Sequence, residues 1–247
     1  MNTLYAFILT SIAGLSTLIG TFLIFINTKK TNKIIVSSLS FAAGVMITIS
    51  LTDLIPESIN LLHTKFKLFP TFLISLIFIV IGIILSTTID NNIKTKREGE
   101  LYKVGVISML AIILHNIPEG IATFLSTENN ISLGLSLAIA ITLHNIPEGI
   151  SISVPIYYAK KSKIKAFTYT LIAGLSEPLG ALIAYLFLKN IVNDTLMGIL
   201  MALIAGIMLQ IAIYELLPTS LNYKNKKTTI KYFILGIIFM TINHLLF

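Results

Sequence analysis

Apolar residues in this chain occur in blocks of about 20, which alternate with short polar and basic stretches. An α-helix rises about 1.5 Å per residue, so a block of this length crosses a hydrocarbon core of roughly 30 Å. The pattern predicts eight membrane-spanning helices, called spans 1 to 8. Their predicted bounds are 4–26, 34–59, 68–89, 104–125, 131–156, 166–188, 196–219 and 230–247. Span 8 is short and begins close to Lys231, so hydropathy alone leaves a seven-span alternative open.

The composition agrees with a chain that lies in lipid. Hydrophobic residues make up 55% of the sequence and charged residues 12%, against roughly 25% charged residues in soluble domains. We therefore expect an all-α polytopic membrane protein that forms one transmembrane domain over residues 1–247, with membrane lipid as a partner. The chain has no cysteine, so a metal ion would be bound by imidazole, carboxylate, amide or thioether groups.

The formal net charge of +7 could indicate binding to nucleic acid, but the placement of the basic residues argues for a membrane topology instead. Loops 1–2, 3–4, 5–6 and 7–8 share one side of an eight-span protein. The basic residues of these loops are Lys29, Lys30, Lys33, Lys94, Lys96, Arg97, Lys103, Lys160, Lys161, Lys163, Lys165, Lys224, Lys226, Lys227 and Lys231. The opposite side holds only Lys65, Lys67 and Lys189. Because basic loops stay in the cytosol, we expect a cell-membrane protein with both termini outside the cytoplasm and no nucleic-acid partner.

Two stretches near the start of the chain recur about 160 residues later. Ala-Gly-Leu-Ser at 13–16 returns at 173–176, and an Ala-Gly-x-Met stretch followed by an acidic-x-x-Pro segment, at 43–56, returns at 205–218. Spans 1 to 3 are thus counterparts of spans 6 to 8, five crossings apart and opposite in orientation. This predicts a 3+2+3 inverted-repeat arrangement, which many secondary transporters have. The alternative is that Ala-Gly pairs are common wherever membrane helices pack closely.

A third repeat lies between these triplets. Leu-His-Asn-Ile-Pro-Glu-Gly-Ile at 114–121 in span 4 recurs at 143–150 in span 5. In each copy His and Glu are four residues apart and share a helix face, while Asn is turned about 100° away and the proline predicts a kink. Consecutive spans are antiparallel, so two facing copies could bind one metal ion, or two ions bridged by Glu. The candidate ligands are His115, Asn116, Glu119, His144, Asn145 and Glu148.

Acidic residues inside the spans support a buried cation site, because each costs roughly 2.5–3.5 kcal/mol at the centre of a membrane helix. Glu177 lies about 11 residues into span 6 and can reach the same depth, so we expect it to contribute to the site, with helix packing as the alternative. His63 and His244 lie near the outer surface without a spaced partner, so we expect them to be solvated. Three further acids lie towards span ends and are interpreted either as interfacial groups or as a transport pathway; they are Asp53, Glu57 and Glu215.

The two His-Asn-Ile-Pro-Glu-Gly strings, together with the segments at 53–58, 175–177 and 215–218, resemble the ZIP (Zrt/Irt-like protein) family of metal-ion transporters, in particular its bacterial zinc-uptake branch. The resemblance covers all eight spans. It implies inward movement of divalent metal, a binuclear centre between spans 4 and 5 with a contribution from Glu177, and no resident prosthetic group. It also implies a homodimer, and alternating access in which spans 1, 4, 5 and 6 move against spans 2, 3, 7 and 8.

The chain departs from the family pattern in two places. Many members carry a histidine-rich loop between spans 3 and 4, but residues 90–103 contain no histidine. In span 5, Asn145, Glu148 and Gly149 replace the first Glu, the second His and the last Glu of the HEIPHE string of many zinc-selective members. An oxygen ligand in place of nitrogen weakens the preference for zinc. We therefore expect transport of zinc together with iron(II), manganese and cobalt, with magnesium and calcium excluded.

Two other classes of protein fit parts of the pattern. An intramembrane metal-dependent hydrolase would also combine a metal with carboxylates, but the chain lacks the His-Glu-x-x-His string of zinc proteases. We therefore expect a transporter and not an enzyme. A proton-coupled carrier or cation channel stays open as an alternative, because acids in membranes also form proton relays.

Overall fold

The computed structural model describes residues 2–25, 30–92, 99–188 and 193–246, and within these ranges every regular element is a helix. Eight helices are long and apolar enough to cross a membrane, which confirms the all-α polytopic class and includes the eighth span. They are Asn2–Phe25, Thr31–His63, Leu68–Asn92, Glu100–Asn129, Ile131–Lys160, Lys163–Phe187, Asp194–Asn222 and Lys226–Leu246. Residues of the predicted topology that lie outside the described ranges are Ile26, Lys29, Lys94, Lys96, Arg97, Lys189 and Phe247.

Several helices extend beyond the ends that hydropathy predicts. Span 2 continues to His63 and span 5 to Lys160, because polar and basic residues continue a helix past the apolar block that a hydropathy pattern detects. One consequence corrects the sequence analysis. Asp53 lies ten residues before the end of its span and Glu215 seven residues before Asn222, so neither is at a helix end.

Four segments within the spans depart from α-helical geometry. Span 1 continues as a 3₁₀-helix over Ser16–Phe25 after an α-helix over Asn2–Leu15, and three wide π-helical turns follow the α-helices of spans 2, 6 and 7. The α-helices of spans 2, 6 and 7 are Thr31–Ile49, Lys163–Ile183 and Asp194–Gln210. The π-helical turns that follow them are Ser50–Leu54, Ala184–Leu188 and Ile211–Leu216. Short α-helices complete span 2 at Ile55–His63 and span 7 at Leu217–Asn222.

Two of the wide turns carry Asp53 and Glu215, and each directly precedes a helix with proline in its first turn. Proline lacks an N–H and its ring clashes with the carbonyl four residues earlier, which favours a widened turn before it. The helices that contain Pro118 and Pro147 nevertheless run on without interruption.

The spans pack as two sets, one of spans 1, 4, 5 and 6 and the other of spans 2, 3, 7 and 8. Glycines bring the backbones within each set together. A Cβ on Gly120 would collide with the carbonyl of Glu177, and one on Gly180 with the carbonyl of Ile117, three residues before Gly120. In this reciprocal contact, each glycine touches the carbonyl of the residue three positions before the partner glycine. The same contact recurs between three other pairs of spans: spans 1 and 5 at Gly20 and Gly149, spans 2 and 8 at Gly44 and Gly236, and spans 3 and 7 at Gly82 and Gly206.

These four pairs are related by the predicted repeat. The repeat relates span 1 to span 6, span 2 to span 7, span 3 to span 8 and span 4 to span 5. Under this exchange, the pair Gly20 and Gly149 becomes the pair Gly180 and Gly120, and the carbonyls that they touch are at equivalent positions. The 3+2+3 inverted arrangement itself stays a prediction, which the matched contacts support.

The two ends of the helix bundle differ. The Asn2 side chain donates to the carbonyl of Glu128 at 3.1 Å, so the start of span 1 lies beside the end of span 4. His244, close to the end of span 8, lines a cavity with Asn129. We call this end the cavity side. Lys65 and Lys67 are the basic residues on it, and all other described Lys and Arg residues lie at the opposite end, called the basic side.

Candidate metal centre

A one-residue connection aligns the two copies of the repeated motif. Asn130 joins spans 4 and 5, and its side chain accepts hydrogen bonds from the backbone N–H groups of Ser132 and Leu133 at 3.0 and 3.3 Å. His115 lies 15 residues before this turn and His144 14 residues after it. At about 1.5 Å per residue the two rings reach the same depth, about 21–23 Å from the turn. The ring centroids are 6.2 Å apart.

The carboxylates of both motif copies meet these two imidazoles. Glu119 Oε1 lies 3.2 Å from His115 Nε2 and 3.1 Å from His144 Nε2, so Glu119 bridges the rings. Glu148 Oε1 lies 3.5 Å from His115 Nε2. One nitrogen from each ring and one Glu148 oxygen fall within 4.8 Å of one another. Two ligand atoms bound to one tetrahedral zinc ion are about 3.3–3.5 Å apart, so these spacings suit a shared metal.

The two asparagines are held by backbone carbonyls of spans 1 and 6. Asn116 Nδ2 donates to the carbonyl of Ala173 at 3.3 Å, and Asn145 Nδ2 donates to the carbonyl of Ala13 at 2.8 Å. Asn145 Nδ2 also donates to Glu177 Oε2 at 2.9 Å, which places Glu177 at the site, at the depth that the sequence predicts. Because the amide nitrogens are engaged, both amide oxygens are left available as ligands.

Many polar atoms of this buried group have no hydrogen-bond partner in the part of the chain that the structure describes. They include both oxygens of Glu148, one oxygen each of Glu119 and Glu177, and the two asparagine oxygens. All seven candidate ligands are buried, the most exposed being Glu119 at 6%. Buried polar and ionised groups are costly unless they are paired, so this arrangement favours a divalent cation at its centre. The assignment of individual ligands stays a prediction.

A cavity of about 750 Å³ leads from the cavity side to the motif residues. At its deep end it is lined by Glu119 and His144, while His115, Glu148 and Glu177 are not part of its lining. An ion that enters from the cavity side therefore meets Glu119 and His144 before the other candidate ligands.

The predicted pathway acids divide between the two ends of the protein. Asp53 and Glu57 line the cavity, together with Asp194 at the start of span 7. His244 is exposed, as predicted, and its Nδ1 is also in direct contact with Asp53 Oδ1. His63 is exposed, as predicted.

Glu215 belongs to a separate charged group on the basic side. It lies close to Asp90, whose Oδ1 is 2.6 Å from Lys103 Nζ. Glu100 Oε1 accepts a hydrogen bond from Asn222 Nδ2 at 3.0 Å. These contacts tie spans 3 and 7 to the start of span 4, at the end of the protein away from the cavity.

Sequence reasoning did not identify the partners of the residues outside the repeated motifs. The contact between Asp53 and His244 joins spans 2 and 8, and that between Asp90 and Lys103 joins spans 3 and 4. No spacing rule connects such positions. The acidic-x-x-Pro pattern did carry a usable signal for the π-helical turns, since Pro56 and Pro218 each follow an acid by three residues.

Eight spans around a buried cluster of imidazoles and carboxylates, reached from one side by a cavity, define a membrane transporter of cations. The family model described as ZIP Zinc transporter matches residues 90–244, more than half of the chain. The chain therefore belongs to the ZIP family. Membership in a family of transporters confirms the prediction of a transporter and not an enzyme, and supports metal transport.

Similar proteins extend the match over the whole chain. The zinc transporter ZupT of Clostridium perfringens is 39% identical over 276 aligned positions, which cover 100% of this chain and 97% of the relative. ZupT of Streptococcus mutans is 42% identical, with coverage of 98% and 97%, and ZupT of Chlorobaculum parvum is 36% identical, with coverage of 100% and 98%. The predicted resemblance to the bacterial zinc-uptake branch is thus confirmed.

Proposed function

We propose that this protein moves zinc, and with it iron(II), manganese and cobalt, across the cell membrane into the cytoplasm. The observation that carries the proposal is the group of three carboxylates and two imidazoles buried together between spans 4, 5 and 6, with several oxygens left without a hydrogen-bond partner among the described residues. A divalent ion would offset the negative charge and use those oxygens as ligands. The relatives named zinc transporter ZupT support zinc as a substrate.

The proposed movement is by alternating access. Glu119 and His144 face the cavity, so an ion first replaces part of its hydration shell with these two groups. Glu148 and His115 then complete the coordination, with the Asn145 oxygen and Glu177 close by. A second conformation opens the site towards the basic side and releases the ion. In the structure, the cavity opens at the cavity side, and the basic side carries the group of Asp90, Lys103 and Glu215.

The decisive experiment is uptake of radioactive zinc by proteoliposomes that contain the purified protein. We expect time-dependent uptake above that of protein-free liposomes, and His63→Ala, which changes an exposed histidine outside the site, should match the wild type. Uptake that follows an imposed pH gradient without a zinc gradient would establish proton coupling, the alternative that the sequence leaves open. Failure of zinc to enter under both gradients would contradict the proposed function.

The proposed orientation places the basic side in the cytosol. Eleven described basic residues lie on the basic side and two on the cavity side, which supports this orientation. Because the chain has no cysteine, single-cysteine variants give a clean test. An impermeant thiol reagent added to intact cells should label Lys65→Cys and leave Lys161→Cys unlabelled. The opposite pattern would reverse the proposed orientation.

A homodimer is part of the proposal through the family resemblance. Spans 3 and 8 are the least buried spans, and both belong to the set of spans 2, 3, 7 and 8. Their apolar surfaces face lipid in a monomer and could face a second copy in a dimer. Light scattering of the protein in detergent should give twice the mass of one chain if the dimer forms, and a single-chain mass would contradict it.

A further inference from the structure

The mouth of the cavity contains a histidine and carboxylate pair that the buried site does not use. His244 Nδ1 on span 8 contacts Asp53 Oδ1 on span 2, and Thr52 Oγ1 holds the other Asp53 oxygen at 3.2 Å. Both side chains are partly exposed, 45% for His244 and 30% for Asp53. The pair is therefore reachable by ions in the cavity and lies apart from Glu119 and His144 at its deep end.

We propose that Asp53 and His244 form a second divalent-metal site, which captures the ion at the cavity mouth before it reaches the buried site. This inference rests on the proposed transport function. The ligand class is a transition-metal cation of the zinc, cobalt or iron(II) type, because an imidazole nitrogen beside a carboxylate suits these ions better than magnesium or calcium.

The geometry needs only a small adjustment to bind such an ion. Zinc lies about 2.0–2.2 Å from nitrogen and oxygen ligands, so two tetrahedral ligand atoms are about 3.3–3.5 Å apart. The two atoms are now in direct contact, and rotation of the exposed imidazole lets them separate to that spacing.

Other polar groups of the cavity can complete the coordination. Glu57 lies four residues beyond Asp53 in the same span and also lines the cavity. Asn243, next to His244, also lines the cavity, and only 3% of its surface is exposed. Its amide oxygen has no hydrogen-bond partner within the described ranges. Water can occupy any remaining position.

The position of the pair in the fold distinguishes a metal site from a latch. Spans 2 and 8 belong to the same set, and their backbones meet at Gly44 and Gly236. A rearrangement between the two sets of spans therefore leaves the pair intact. The site has one imidazole and one close carboxylate, whereas the buried site has two imidazoles and three carboxylates. Affinity should thus rise along the path, which favours transfer inwards.

The test uses cobalt(II), whose visible absorbance reports nitrogen and oxygen ligands, with protein in which Glu119→Gln and Glu148→Gln disable the buried site. We expect one residual cobalt ion per chain, lost on adding His244→Ala or Asp53→Asn and kept on adding His63→Ala, the matched control. No residual cobalt, or residual binding that His244→Ala leaves unchanged, would overturn the proposal. Zinc uptake by the wild type is measured in parallel, so failure of the capture site and failure of the transport function give different results.

A transport measurement provides the second readout. In an otherwise wild-type chain, His244→Ala should raise KM for zinc about tenfold, the lower end of what charge focusing contributes to ion capture, while kcat stays unchanged. The cobalt spectrum of the buried site should also stay unchanged, which excludes a folding defect. A lower kcat with an unchanged KM would contradict capture at the mouth.

Discussion

The two copies of His-Asn-Ile-Pro-Glu-Gly have the same sequence but different surroundings. Glu119 of the first copy contacts both imidazoles and lines the cavity, whereas Glu148 of the second contacts His115 and lies outside the cavity lining. The asparagines differ as well, because Asn145 donates to Glu177 in addition to a backbone carbonyl, while Asn116 donates to a carbonyl.

This difference shows how a duplicated motif can form an asymmetric site. The near-symmetric backbone places both copies at one depth, and the asymmetry comes from their neighbours. The counterpart of Glu177 in the first triplet is Thr17, 160 residues earlier, so an acid is present on one side of the site and not on the other. In the function that we propose, the first copy would receive the ion, and the second would hold it beside the additional carboxylate.

The largest expected effect is the loss of either glutamate. Glu119→Ala and Glu148→Ala should each reduce zinc uptake to background, a loss beyond the roughly 10–100-fold cost of removing an outer-shell partner, because each removes a ligand and a compensating charge. Uptake by proteoliposomes with equal amounts of inserted protein measures this. Normal transport by Glu119→Ala would place the site elsewhere, and Asp53→Ala should be milder because Asp53 lies at the cavity mouth.

The asparagines give a smaller and unequal effect. Asn145→Ala should weaken zinc affinity about 10–100-fold and Asn116→Ala less, because only Asn145 also orients Glu177. Calorimetric titration with zinc in detergent compares the two variants directly. Equal losses would show that the hydrogen bond to Glu177 does not contribute to metal binding.

The positions of the two glutamates should differ in the rate at which a thiol reagent modifies them. An impermeant thiol reagent added from the cavity side should modify Glu119→Cys about tenfold or more faster than Glu148→Cys, since only position 119 lines the cavity, and local opening limits access to buried positions. Rates are followed by mass spectrometry, with Lys65→Cys as the exposed reference. Faster modification of position 148 would reverse the order in which the ligands meet the ion.

Selectivity should change least. Glu148→His replaces an oxygen ligand by nitrogen and should narrow transport towards zinc, raising the zinc preference over manganese by about tenfold if one ligand contributes about 1.4 kcal/mol. Competition of labelled zinc with manganese, iron(II) and cobalt is measured for wild type and variant together. Wild-type uptake that ignores an excess of these metals would show that Glu148 does not broaden the site.

Local patterns predicted most of the fold and the centre of the site, while contacts between distant spans escaped them. Apolar block length predicts the eight spans, and the fixed spacing of the repeated motif predicts that His115 and His144 meet. The partner of Asp53 could not be predicted, because His244 is 191 residues away and single long-range contacts leave no periodicity. Several helices were predicted to end too early for a related reason, since helical hydrogen bonding continues beyond the apolar block.

The glycine contacts fix how the molecule can deform. A glycine seated on a carbonyl locks two helices in axial register, because sliding by one residue would drive a side chain into that carbonyl. Every glycine that touches another helix does so within one of the two sets of spans. The boundary between the sets is crossed instead by side-chain contacts, such as Lys103 to Asp90 and Asn243 to the carbonyl of Ala140, which can break one at a time. In the alternating access that we propose, this boundary would be the plane of shear, and the buried ligands, all carried by spans 4, 5 and 6, would move past it as one unit.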